Sequence, residues 1–189
     1  METPSKAQVM HDDYNEACGD WSMESVKKTL EEYKTCVAKM YRDNPSRFRN
    51  TNLPFTIAEF GCATGVASTA PLVAIIDEVR KIQPDMPITV YLNDMPDNHH
   101  ALAIQTVTKG LSEYKDIFLY VAGHDFSTQV FPSNHIDFAF SNMTANILAE
   151  APVPLENNLF FFSAPETLES EWGQKWVEAF GKHWSTFVT

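Results

Sequence analysis

The spacing of hydrophobic positions changes several times along the chain, and each change marks a predicted element. Over residues 22–41, Val26, Leu30, Tyr33, Val37 and Met40 recur at three- and four-residue steps with Lys and Glu between them, which predicts an amphipathic helix. Residues 1–20 are polar and read as irregular at first. Residues 43–54 carry Asn, Pro, Ser and Arg and read as a loop. Phe55-Thr56-Ile57-Ala58-Glu59-Phe60 is a short apolar strand ending at a glycine. Residues 67–82 return to helical spacing, with Leu72, Ile75, Ile76 and Val79 on one face, and Pro84 and Pro87 close the connection that follows. Residues 88–92 form a second strand, and residues 99–111 a second such helix stopped near Gly110. Residues 117–121 and 136–140 complete a set of four strands. Near the end, Trp172, Trp176, Phe180, Trp184 and Phe187 fall at steps of four, four, four and three, one aromatic stripe that needs a surface to bury against.

Strands that alternate with helices and are apolar throughout predict an α/β fold with a mainly parallel sheet covered on both faces. Ligands on such sheets bind beyond the carboxyl ends of the strands. Glycines and polar residues follow Phe60, Leu92, Ala122 and Phe140, so four strand ends direct chemistry to one rim. The chain reads as effectively one domain, a helical segment over residues 1–50 leading into a nucleotide-binding unit over residues 51–189.

Composition narrows the function classes. The 189 residues are 44% hydrophobic, which is globular. A formal charge of −11 argues against nucleic acid or an anionic membrane as the main partner, since both recognise clustered Lys and Arg. Cys18, Cys36 and Cys62 have neither disulfide-framework parity nor metal-ligand spacing, and fit a reducing, cytoplasmic setting. No apolar run approaches the ~18 residues of a membrane span, and the first ten residues lack a signal-peptide stretch. The six histidines are scattered, apart from His99-His100 at a helix start; no metal site and no catalytic role is expected of them.

Candidate chemistry lies at the rim. Glu59-Phe60-Gly61-Cys62-Ala63-Thr64-Gly65 couples an acidic residue to two glycines, which let the backbone turn tightly and approach a ligand. An ordinary strand-to-helix turn gives the same pattern. Asp94 ends the second strand, where a carboxylate can accept from two vicinal ribose hydroxyls; a turn cap before Pro96 is the plainer alternative. Glu59 and Asp94 are 35 residues apart, against roughly 20 in a dinucleotide fingerprint, and no Gly-x-Gly-x-x-Gly occurs, so an NAD-dependent enzyme is the weaker expectation. After the third strand, Gly123-His124-Asp125-Phe126 offers a polar and an aromatic group that could flank a base, or a loop with Phe126 tucked inward.

Taken in order, these segments resemble the plant SABATH carboxyl methyltransferases. Asp20-Trp21-Ser22-Met23-Glu24-Ser25 resembles their Ser-Tyr-Ala-x-Asn-Ser, the glycine segment their Asp-Leu-Gly-Cys-Ser-Ser-Gly, and Leu92-Asn93-Asp94-Met95-Pro96-Asp97-Asn98 their Leu-Asn-Asp-Leu-Pro-x-Asn. Phe131-Pro132 and residues 136–148 follow further family segments. The resemblance implies a class I methyltransferase fold, a Rossmann-like three-layer sandwich, and S-adenosylmethionine as cofactor. It implies that Trp21, Glu59, Gly61, Cys62 and Gly65 surround the cofactor's amino-acid part, that Asp94 holds the ribose, that Met95 packs on the adenine, and that Asp125 and Phe126 flank it. On the acceptor side Lys28 falls near the family's Gln, Met143 replaces its Tyr, and Asn146-Ile147 replace its His-Trp pair, giving a less aromatic surround; a solvated helix face is the favoured reading of Lys28, and plain core packing an equal alternative for Met143 and Ile147.

The activity implied is in-line methyl transfer to a small molecule, by resemblance a carboxylic acid. A carboxylate is already ionised near neutral pH, so no general base and no catalytic residue is expected. The family forms homodimers, which makes a dimer the implied assembly. Its members are nearly twice as long, so the sheet is expected to be incomplete at the C-terminus, with an open edge beside Phe138 and Phe140. The alternative from another class is a truncated or non-catalytic methyltransferase-fold protein that binds cofactor or a partner without turnover.

Overall fold

A computed structural model describes residues 14–49, 53–142, 144, 148, 152–153 and 169–188; for residues 14–22, 49, 187 and 188 it describes the backbone alone. In chain order it contains α1 (Tyr14–Asp43), a 3₁₀ turn (Arg47–Arg49), β1 (Phe55–Phe60), α2 (Thr69–Ile82), β2 (Ile88–Asp94), α3 (His100–Gly110), β3 (Ile117–Gly123), β4 (Phe138–Phe140) and α4 (Glu171–Val188). The four strands form one parallel sheet in the order β3-β2-β1-β4.

Residues paired across a parallel sheet share a face, so the register separates two surfaces. Ile57, Val90, Leu119 and Phe138 lie in register on one face. Val37 of α1, Leu72, Ile75, Ile76 and Val79 of α2, and Ala103 and Val107 of α3 join them in a single core. Ile57, Ile88, Val90 and Leu92 are fully buried. Each such side chain contributes about 1.5–3 kcal/mol relative to exposure. Aromatic packing seats α1 on this face: Tyr41 stacks on Phe48 at 4.2 Å, and Tyr33 meets Phe138 and Phe140 at 6.3 and 5.5 Å. The other face carries Phe60, Tyr91 and Tyr120, covered in part by Phe126, Phe131 and His135 of the β3–β4 connection. α4 reaches that connection through His183, 5.9 Å from Phe126.

Three differences from the sequence reading have physical causes. α1 starts at Tyr14, well before residue 22, because extending a formed helix costs far less than nucleating one, even across Gly19. β4 begins at Phe138 instead of residue 136. The Asp137 carboxylate takes the Thr56 N–H at 2.9 Å and an Arg47 N–H at 2.8 Å, so a side chain replaces one of the two backbone bonds here, while the Asp137 N–H still donates to the Thr56 carbonyl at 3.0 Å. Finally, cover on both faces does not extend to β3. Phe118 and Tyr120 are 49% and 51% exposed, since among the described residues no helix packs on the outer side of this edge strand.

Candidate functional site

β1 delivers the chain into a loop that its own conformation could not hold. Gly61, Ala63 and Gly65 all have positive φ, at 82°, 48° and 82°. Gly65 must be glycine for a second reason: a Cβ there would sit 2.9 Å from the Ala103 carbonyl oxygen, so α3 packs directly on the loop. A Cβ at Gly61 would overlap the Thr144 side chain. Ala63, with no such exemption, carries a left-handed conformation that costs about 1–2 kcal/mol. Its peptide is held from both sides. The Ala63 N–H donates to Asp94 Oδ2 at 2.6 Å, and Asn98 Nδ2 donates to the Ala63 carbonyl at 2.8 Å.

β2 is the brace for the whole rim. The Asn93 carbonyl accepts from the Gly61 and Cys62 N–H groups at 2.9 and 3.0 Å. The Asn93 side chain, fully buried, donates to the Ala122 and His124 carbonyls, both at 2.7 Å. Asp94 Oδ1 accepts from the Met95 N–H at 2.8 Å, and the Asp94 carbonyl accepts from the His124 N–H at 2.9 Å. The ends of β1, β2 and β3 are thereby tied through two adjacent residues.

Glu59 is 1% exposed, and its Oε2 has no hydrogen-bond partner. Burial pushes its pKa up to about 8; the Asp94 charge acts in the same direction, and the nearby Ser68 hydroxyl opposes both. Other buried polar atoms at the strand ends also lack partners: Ser68 Oγ before α2, and Ser141 Oγ and Asn142 Nδ2 after β4. Asn142 is anchored by its other amide atom, since the Tyr33 hydroxyl of α1 donates to Asn142 Oδ1 at 2.6 Å. Native interiors rarely leave such groups unmatched, and a cluster of them points to a ligand or water that matches them. Asn93 Oδ1 and Asn98 Oδ1 are, like Glu59 Oε2, unmatched acceptors, and this mixture of lone acceptors and lone donors suits a zwitterion.

The sequence candidates divide. Glu59, Gly61, Cys62, Gly65 and Asp94 come together in and around the loop. Cys62 is 2% exposed and burial pushes its thiol up, so it is a packing residue of the loop and no nucleophile. Met95 is exposed at the β2 end. Asp125 Oδ1 accepts from the Ser127 N–H at 2.8 Å, shaping the turn after β3. Phe126 is half-buried and packs against Phe60 at 6.3 Å and against His183 at 5.9 Å, outside the main core. Trp21 falls within α1. Lys28 is exposed, about 200° around the helix from buried Val26, on the face away from the sheet. Met143, Asn146 and Ile147 lie outside the described residues.

Sequence reasoning assigned no role to Ser68, Asn93, Asn98, Ser141, Asn142 or Thr144, and took Tyr33 for a plain core position. Asn93 and Asn98 were within reach, because they flank Asp94 in a quoted segment. Nothing in spacing marks a Ser or Asn whose importance comes from lacking a partner. Among the described residues, no group of three or more His, Cys, Asp and Glu gathers to hold a metal.

Comparisons with known proteins agree with this geometry. The sequence model of the SAM-dependent carboxyl methyltransferase family matches residues 18–177. Loganic acid O-methyltransferase of Catharanthus roseus is 27% identical over 108 residues, covering 55% of this chain and 28% of that protein. Methyltransferase LUC1 of Fusarium sp is 34% identical over 110 residues, covering 54% of this chain and 29% of that one. A solved loganic acid methyltransferase with SAH superposes with a TM-score of 0.72 at 17% identity, covering 96% of this chain and 53% of that chain; at this identity the likeness shows the fold. In these matches the chain spans less than a third of each curated relative and about half of the solved chain. The family match covers most of the sequence, the strand order and loop are those of a nucleotide-binding α/β sheet, and the chain belongs to the SAM-dependent carboxyl methyltransferase family.

Proposed function

We propose that this chain binds S-adenosylmethionine at the carboxyl rim of β1 and β2 and takes part in methyl transfer to a small carboxylic acid. The observation that carries this reading is the set of buried, partnerless polar atoms on Glu59, Ser68, Ser141 and Asn142 beside a glycine loop closed by Asp94. Glu59 suits an ammonium group. The Ser141 hydroxyl and the Asn142 amide suit a carboxylate. Asp94, already braced by two N–H groups, has lone pairs left for ribose hydroxyls. Gly61 and Gly65 give the loop its positive-φ turns and its close packing against Thr144 and α3.

The cofactor supplies a methyl group activated on a sulfonium centre. The chain's residues then have to bind, orient and exclude water, and none has to remove a proton. A carboxylate acceptor is ionised well below neutral pH, so placement alone lowers the barrier. Free Cys36 and Cys62 support a reducing, cytoplasmic setting. No described helix is long and apolar enough to cross a membrane. The homodimer is carried over from the family resemblance, as is the division into a helical segment over residues 1–50 and a cofactor-binding unit over residues 51–189.

Calorimetric titration with S-adenosylhomocysteine (SAH) tests the reading. Binding is expected, and none at ~1 mM, a threshold of only about 4 kcal/mol, overturns it. A second reading, binding without turnover, is favoured by Lys28, the one acceptor-side candidate among the described residues, which is exposed on the outer face of α1. Methyl transfer from labelled S-adenosylmethionine to any member of a panel of small acids excludes this second reading.

A further inference from the structure

Glu59 sits in a surround that offers its carboxylate no counter-charge. Its register neighbours are Leu92 on β2 and Phe140 on β4. Tyr33 of α1, Cys62 of its own loop, Ser68 before α2 and Asp94 at the end of β2 are the polar and titratable groups acting on it or acted on by it. All but Asp94 are neutral at pH 7, and Asp94 repels a second negative charge. Among the described residues no basic side chain pairs with Glu59. Burying an unpaired carboxylate is costly enough that such a group keeps its proton. Yet Oε2 has no partner, so the acid is placed at the rim without being satisfied there.

Resting on the cofactor reading above, we propose that the ammonium group of the cofactor's amino-acid part displaces the proton of Glu59, so that each capture event releases a proton to solvent. The balance is simple. A neutral carboxylic acid and a cationic ligand become a carboxylate–ammonium pair, the O–H bond breaks, and the proton leaves to water with no other change in bonding. The pairing replaces the counter-charge that the protein does not supply. Capture is then weaker in acid, because more work is needed to remove the proton there. Below the pKa of about 8, one released proton means affinity rises about tenfold per pH unit and levels off above it.

Two ligands separate this from simple nucleoside binding. SAH carries the ammonium group; 5′-methylthioadenosine has the same adenine and ribose and lacks it. Titrations of the full chain at pH 6 and pH 7, in phosphate and in imidazole buffers of different ionisation enthalpy, count the protons released. SAH is expected to release about one proton at pH 6 and to bind about tenfold more tightly at pH 7. Methylthioadenosine is expected to show equal heats in both buffers and no pH slope. Glu59→Gln is expected to abolish the proton release and the slope for SAH; should that variant not fold, the wild-type ligand pair decides alone. Binding of SAH with buffer-independent heats overturns the proposal and leaves the cofactor site standing, as does proton release by both ligands or by the Gln variant. Failure of both ligands to bind at ~1 mM removes the site itself and the proposal with it.

Discussion

At the start of β1, the carboxylate of Asp137 receives the Thr56 N–H at 2.9 Å and an Arg47 N–H at 2.8 Å, and it is 9% exposed. At the far end of the same strand, Glu59 is 1% exposed with an oxygen that nothing satisfies. Both are acidic groups taken out of water beside one strand. The first is matched by cation and amide, and it holds the 3₁₀ turn, β1 and β4 together. The second is matched by nothing the described residues offer. A buried polar group with its partners belongs to the fold, while one without them belongs to what the fold binds. The amino end of the sheet is thus closed for stability, and the carboxyl end is left incomplete where ligands of parallel sheets are held.

Breaking the binding end has the largest expected effect. Asp94→Ala removes the anchor of the strained Ala63 peptide together with the proposed ribose contact. The two internal bonds bear on stability; the proposed bonds from two ribose hydroxyls to a charged group are worth about 1.5–3 kcal/mol each, so SAH affinity is expected to fall at least about 100-fold by calorimetry. Retention of wild-type affinity would contradict the placement of the site.

Glu59→Gln sharpens the contrast from the stability side. Its folded pKa of about 8 lies above the ordinary value of 4.5, so the contribution of Glu59 to the stability of the unliganded wild type is fully present below about pH 4.5 and is lost as pH rises toward 8. The variant has no such loss. Its unfolding free energy relative to wild type is expected to climb between pH 5 and pH 8, by at most about 1.4 kcal/mol per pH unit in urea unfolding. A constant difference across that range would mean Glu59 is already ionised in the empty protein.

Asp137→Ala is the converse. It strands the Thr56 N–H and frees Arg47, a half-exposed partner that water partly recovers, so about 2 kcal/mol of stability should be lost in urea unfolding. SAH affinity of the folded fraction is expected to stay unchanged, because this end does not touch the rim. The smallest effect belongs to Tyr33→Phe, which deletes the single bond to Asn142; about 1 kcal/mol of stability is expected to go, with a modest weakening of SAH binding.

Much of this was legible in the residues. The bounds of β1 follow from six apolar-rich positions stopped by a glycine, and Asp94 was identifiable as an acidic residue at the end of the second strand. The start of α1 was not legible, since local composition around Gly19 hides a helix that propagates from a stronger segment. The shortening of β4 was hidden too, because it depends on Asp137 meeting Thr56 and Arg47 from far along the chain. Lys28 lies on the exposed face of α1, as a solvated helix position does.

By itself, the sequence determined the alternation of strands and helices, the parallel sheet, the glycine loop and the acid that closes it. Those properties come from periodicity and backbone chemistry, which act over a few residues. Only the tertiary structure decided which polar groups have partners. Ser68, Ser141 and Asn142 are unremarkable in the chain and matter because folding leaves them, like Glu59, buried and unmatched at the strand ends. Satisfaction depends on what arrives from distant segments, so it is written in three dimensions and not along one.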